Sequence, residues 1–70
     1  MTDKEILKEG FVPNNWYDKG RQIFKGFQKG NLLVEKTKDK NLRIDGTDVV
    51  IKNISHLRIC DKAFNYRYRA

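Results

Sequence analysis

The apolar positions of this chain change period twice, which divides it into three regions. Near the start, Thr2 and Glu5 have the T-x-x-E spacing of a capping box, in which each side chain satisfies the other's free backbone N–H. Ile6 and Leu7 give the next turn its apolar face. Gly10 supplies a left-handed stop, with Phe11 placed to touch Ile6. The spacing predicts a short helix that is unstable alone and must dock on something. Pro13-Asn14-Asn15 then reads as a break.

From Trp16 onward the period is two. Trp16-Tyr17 opens a strand that ends at a three-residue turn signal, Asp18-Lys19-Gly20. Arg21 to Gln28 alternates, with Ile23, Lys25 and Phe27 on one side and Phe24 and Gly26 on the other. Lys29-Gly30-Asn31 is a second turn, and Leu32 to Thr37 the next strand. After the polar turn Lys38-Asp39-Lys40-Asn41, Leu42-Arg43-Ile44 resumes the alternation. Asp45-Gly46 is a hairpin signal, and Thr47 to Lys52 closes the series. Short strands with turns this regularly spaced predict an antiparallel meander.

The last stretch has the period of a helix, capped by Asn53 or Ser55 and running to about Tyr68. Ile54, Leu57, Cys60, Phe64 and Tyr68 share one face, while Arg58, Lys62, Asn65 and Arg69 share another, with Ile59 and Tyr66 on its flank. The fold class is therefore α+β. It is an antiparallel meander of four or five short strands, with a short N-terminal helix and a longer C-terminal helix packed on the sheet. The helices are expected to bury Ile6, Leu7, Leu57, Cys60 and Phe64.

Seventy residues fit a single domain, 1–70. With 39% hydrophobic and 34% charged residues the chain is too apolar for a disordered tail. Its longest apolar runs, such as Leu32-Leu33-Val34 and Val49-Val50-Ile51, are three residues, so neither a membrane span nor a secretory leader is expected. One cysteine and one histidine leave no internal disulfide and none of the usual zinc sites. The expectation is a cytoplasmic protein without a cofactor.

The net charge of +6 is unevenly spread. Met1 to Asp18 has two cations against four anions, Lys19 to Arg43 eight against two, and Ile44 to Ala70 five against three. The basic middle suits an anionic partner, nucleic acid or an acidic protein surface.

Trp16-Tyr17-x-Lys19-Gly20, the basic meander and Ile54-x-x-Leu57 together resemble small uncharacterised α+β proteins of Bacteroidetes and their phages or integrated elements. Those proteins open with a short helix ending in Gly-Phe and carry an aromatic pair before a Lys-Gly turn. The resemblance implies a mobile-element accessory protein, working in the host cell cytoplasm if phage-encoded. It implies no activity and no functional residue. The basic, aromatic tail Asn65-Tyr66-Arg67-Tyr68-Arg69 departs from that pattern.

Catalytic constellations do not assemble. Ser55 and His56 are adjacent on a helix and point about 100° apart, so they do not face each other as nucleophile and base. Cys60 lies in the apolar stripe, where a thiol is inert. Asp45 and Asp48 flank a turn, and no calcium-loop or G-K-[ST] phosphate-loop signature occurs. No enzyme is expected.

Binding is better supported. Cations interleave with aromatics, and phosphate contacts are expected from Arg58, Lys62 and Arg69, supported by Lys25, Lys29 and Lys36. Tyr66, Tyr68 and Phe24 are the candidate stacking rings. Phe27, on the side of Ile23, reads as core. The alternative is a protein-interaction module or inhibitor, using exposed aromatics or a sheet edge against a host or phage protein, or forming a homodimer by strand addition. Trp16, the single tryptophan, reads as roofing the core.

Overall fold

The computed structural model describes residues 1–65. The elements are α1 (Asp3–Lys8), β1 (Val12–Asp18), β2 (Arg21–Lys29), β3 (Leu32–Lys36), β4 (Leu42–Ile44), β5 (Val50–Ile51) and α2 (Ile54–Asn65). The strands form one antiparallel sheet in sequence order, β1-β2-β3-β4-β5. Helix α2 packs on it against β3 and β5. This is the α+β meander that the periodicity predicts. The expected continuation of the last helix to Tyr68, with Tyr66, Tyr68 and Arg69, lies outside the described residues.

Local chemistry starts both helices. The Thr2 N–H donates to Glu5 Oε1 at 2.8 Å and the Glu5 N–H to Thr2 Oγ1 at 3.2 Å, closing the capping box. Asn53, not Ser55, caps α2, its Oδ1 accepting from the His56 N–H at 2.8 Å. Helix α1 is six residues long and turns a single stripe inward. Ile6 is fully buried, whereas Leu7, about 100° round the axis, is 43% exposed. The expected burial of Leu7 is thus corrected.

Three strand boundaries differ from the sequence reading. Strand β1 begins at Val12 and runs through Pro13-Asn14-Asn15 without a break. Proline is tolerated there because β1 is an edge strand. The first hairpin turn has two residues, Lys19 and Gly20, with φ of 50° and 80°, so that Asp18 pairs with Arg21. Strand β5 is only Val50–Ile51, because Thr47 is consumed by the turn. Its N–H and its hydroxyl both donate to the Ile44 carbonyl, at 3.0 and 2.9 Å, and its Oγ1 accepts from the Val49 N–H at 3.1 Å.

One face of the sheet makes the core. Phe27, Leu32, Val34, Leu42, Ile44 and Ile51 close against Ile6, Phe11, Leu57 and Cys60, with Met1, Ile54 and Phe64 packed at the margin. Each such side chain contributes about 1.5–3 kcal/mol by area. The opposite face, which by register carries Asn14, Trp16, Phe24, Gly26, Gln28, Leu33, Glu35 and Arg43, has neither helix on it.

The strands are staggered. Strand β3 pairs with β2 from Gly26 to Lys29, while Arg21 to Lys25 pair across to β1 alone. Residues 15–25 therefore form a two-stranded ribbon beyond the packed body, and the molecule is elongated, 44 × 24 × 21 Å. The register shifts within the ribbon: Trp16 faces Phe24 and Tyr17 faces Gln22, leaving Ile23 as the extra residue of a bulge.

Candidate functional site

The ribbon concentrates the exposed apolar surface. Trp16 is 58% exposed, Tyr17 63% and Ile23 61%. The expectation that Trp16 roofs the core is overturned: its register places it with Phe24 on the face opposite Phe27, which neither helix covers. The Trp16 and Phe24 rings meet with centroids 5.7 Å apart and planes at 43°. Gly26 makes room for this pair. A Cβ there would run into the Val34 carbonyl oxygen and the Phe24 ring, so the ring lies half-buried over bare backbone. Phe27, on the other face, is core as expected.

Hydrogen bonds fix the indole. Trp16 Nε1 donates to Asn14 Oδ1 at 2.7 Å, Asn14 Nδ2 to Gln28 Oε1 at 2.9 Å, and Gln28 Nε2 to the Gly30 carbonyl at 3.3 Å. This relay runs along the uncovered face from the ribbon to the β2–β3 turn. Lys19 and Arg21 stand at the ribbon's tip, exposed, with no ion pair among the described residues. Farther along the face, Arg43 is held by Glu35 and by the Thr47 carbonyl at 3.3 Å.

The phosphate-contact candidates lie elsewhere, and most are engaged within the molecule. Arg58 holds Glu9 with two hydrogen bonds, Nε to Oε1 at 2.8 Å and Nη2 to Oε2 at 3.0 Å. Lys29 donates to Asp61 Oδ2 at 2.7 Å and to the Glu9 carbonyl at 2.9 Å, and sits 5.9 Å from the Phe11 ring centroid. Lys36 bonds Asp3 Oδ1 at 2.6 Å, and Lys25 lies 3.7 Å from Asp3 Oδ2. Lys62 is exposed and outside every ion pair of the described residues. Arg69, Tyr66 and Tyr68 lie outside those residues.

Asn65 shows why that face is not simply solvated. Its Nδ2 donates to the Lys29 carbonyl at 2.9 Å and to Asp61 Oδ1 at 2.7 Å, and its Oδ1 accepts from the Asn31 N–H at 2.7 Å. This clamps α2 to the β2–β3 turn. At the other end of α2, Glu5, Lys8, Glu9, Ile54 and Arg58 line a shallow groove between the helices. The hydrogen bond from Arg58 holds the Glu9 carboxyl below its ordinary value of 4.5. That from Lys36 holds Asp3 below 3.8.

The sequence reading placed Trp16 over the core and did not single out Lys19 and Arg21, which stand beside it on the ribbon. A signal existed: an aromatic pair directly before a two-residue turn sits at a hairpin tip, where a small core does not reach. Cys60 is a buried residue, and its burial raises the thiol pKa. Among the described residues no His, Cys, Asp or Glu cluster is placed to hold a metal ion, and no helix is long and apolar enough to cross a membrane. No protein-family model, no curated protein and no solved structure matches this chain.

Proposed function

We propose that this is a small, basic, non-enzymatic protein that binds nucleic acid, holding a single strand against the projecting ribbon and the uncovered sheet face. One observation carries the reading: a ribbon outside the core presents Trp16 and Tyr17 beside two cations, Lys19 and Arg21, that no ion pair of the described residues engages. Bases stack on exposed rings while Lys and Arg follow the phosphates, and only an unpaired strand offers free base faces. Trp16 is the stacking platform, and Phe24 braces it from beneath. Lys62 extends the basic surface. The resemblance to phage and integrated-element proteins supplies the setting, an accessory role in a bacterial cytoplasm.

The test is fluorescence anisotropy with single-stranded and duplex oligonucleotides in about 50 mM salt, where phosphate contacts are strongest. The expected result is saturable binding that favours the single strand and weakens with salt. Trp16→Ala and a Lys19→Glu/Arg21→Glu double variant each reduce it. No saturable signal up to about 100 μM protein overturns the reading, since non-specific binders reach roughly 10⁻⁴–10⁻⁶ M.

A second reading rests on the outer edge of β1. The strand is seven residues long and pairs only with β2, and its Val12 is 59% exposed. Such an edge accepts a strand from another protein or a second copy. Binding through it depends on apolar contact and main-chain bonds, so it persists at high salt where phosphate binding fails.

A further inference from the structure

Helix α1 lies along the basic side of the molecule with a carboxylate at each end. Asp3 takes Lys36 and Lys25, at 2.6 and 3.7 Å. Six residues on, Glu9 takes Arg58 through both of its oxygens, and its carbonyl accepts from Lys29. Four of the cations that the sequence marks for phosphate are thus met by one acidic segment. Two carboxylates on a helix present oxygens to Lys and Arg much as successive phosphates do.

The attachment of α1 is divided between one apolar anchor and these pairs. Ile6 is its single buried side chain, and Leu7 faces out. The Asp3 and Glu9 carboxylates are not buried in the core: the Asp3 side chain is 47% exposed and that of Glu9 21%. Arg58 is 61% exposed and Lys25 50%, so a strand arriving from solvent reaches both, whereas Lys36, at 14%, is covered where Asp3 bonds it. Lys25 also stands at the base of the ribbon, on the side of the sheet that α1 covers.

We infer that α1 is an internal acidic cover over a second nucleic-acid surface made by Lys25, Lys36 and Arg58, and that it confines phosphate binding to the ribbon while it is in place. The inference rests on the nucleic-acid reading above. The ligand is the phosphate backbone of a single strand, and Asp3 and Glu9 compete with it for the same cations. Neutralising them uncovers the surface without removing Ile6 from the core or Thr2 and Glu5 from the helix cap.

The experiment titrates a short fluorescent oligothymidylate with wild type, with Asp3→Asn/Glu9→Gln, and with Asp45→Asn/Asp48→Asn across a salt series. The third protein gains the same charge as the second, but on the β4–β5 turn, away from α1. Three new contacts to a single strand steepen the slope of log affinity against log salt by about 2, at roughly 0.7 per phosphate. The expected result is that steepening, with tighter binding at low salt, in Asp3→Asn/Glu9→Gln alone. Adding Arg58→Gln to Glu9→Gln cancels the gain from that end. Asp3→Asn alone, which leaves Glu9 on Arg58, gives the contribution of Lys25 and Lys36 if the double variant does not fold.

Equal slopes for the two charge-matched variants overturn the cover while leaving the ribbon reading intact. Binding by Asp3→Asn/Glu9→Gln with none by wild type supports the cover and removes the ribbon. No binding by any protein overturns both.

Discussion

The two ends of the sheet are built on opposite terms. At the β3–β5 end every inward side chain meets a helix: Leu32, Val34, Leu42 and Ile51 are fully buried, as are Ile6 and Leu57 above them. At the β1–β2 end the same alternation continues, but there is nothing above it. Trp16, Tyr17 and Ile23 stay in water, and two strands support only each other. A two-stranded ribbon is marginal by itself, so its order derives from continuity with the packed strands, the Trp16–Phe24 contact and the Asn14 relay. Exposed aromatic area that does little for stability is the kind of surface a ligand uses.

The sharpest way to break this comparison is to remove one large side chain from each end. Leu57→Ala empties a fully buried site and costs about 2–5 kcal/mol, enough to unfold much of so small a protein. Trp16→Ala costs under about 1 kcal/mol, yet removes stacking of about 1–3 kcal/mol per base. Thermal melts and oligonucleotide titrations of both variants check the pair. A Trp16→Ala protein that melts with Leu57→Ala places the ribbon in the core after all.

Between these extremes lies Gly26, where ribbon and body meet. Gly26→Ala drives a methyl group into the Val34 carbonyl and the Phe24 ring, costing about 1–3 kcal/mol and loosening the aromatic pair. The measurement is the melting temperature together with Trp16 fluorescence, which shifts as Phe24 moves.

A chemical probe separates the ends without mutation. The Cys60 thiol is buried under α2 and its pKa is raised by that burial, so a thiol reagent labels it slowly in native protein and quickly in denaturant. Fast native labelling detaches α2 from the sheet.

The smallest effect comes from acid. Lys36 and Arg58 depress the pKa values of Asp3 and Glu9 in the folded protein, below 3.8 and 4.5. Their contribution to stability is complete above those ordinary values and is lost as pH falls through the lower folded-state ones. Melting temperature is expected to be level from about pH 7 to 5 and to drop below about pH 4.5. The drop is shallower in Asp3→Asn/Glu9→Gln and in high salt, because exposed pairs are screened.

What the sequence disclosed was local. Thr2 and Glu5 are three residues apart, Asp45 and Gly46 adjacent, and Leu57 and Cys60 one turn apart, so their patterns survive any tertiary arrangement. The partners of Arg58 and Lys29 did not show, because Glu9 stands 49 residues from the first and Asp61 32 from the second, and any of nine carboxylates could have met them. Read along α2 alone, Arg58 belonged to a phosphate-contact stripe; across the fold it is held by Glu9, the cap of α1. The stagger was equally hidden. How far the ribbon projects depends on β3 ending its pairing at Gly26, and the exposure of Trp16 on its lying with Phe24 on the face the helices leave bare; no property of Trp16 reports either.

The sequence-ordered sheet also sets an order of events in folding. Each strand pairs with its immediate neighbours in the chain, so every ladder closes a short loop and the meander can zip from any turn. Hairpins of this size form in about 1–10 μs. The helices cannot join so early. Helix α1 is bonded through its cap Glu9 to Arg58, 49 residues on, and β2–β3 is clamped to α2 through Lys29, Asp61, Asn31 and Asn65, at separations of 32 and 34 residues. Strand pairing is therefore expected to precede the closing of Glu9 on Arg58, which has the larger sequence separation to bridge. On that order, substitutions at Leu57 are expected mainly to speed unfolding and changes at Asp45-Gly46 mainly to slow folding, which stopped-flow folding and unfolding rates of the two variants check.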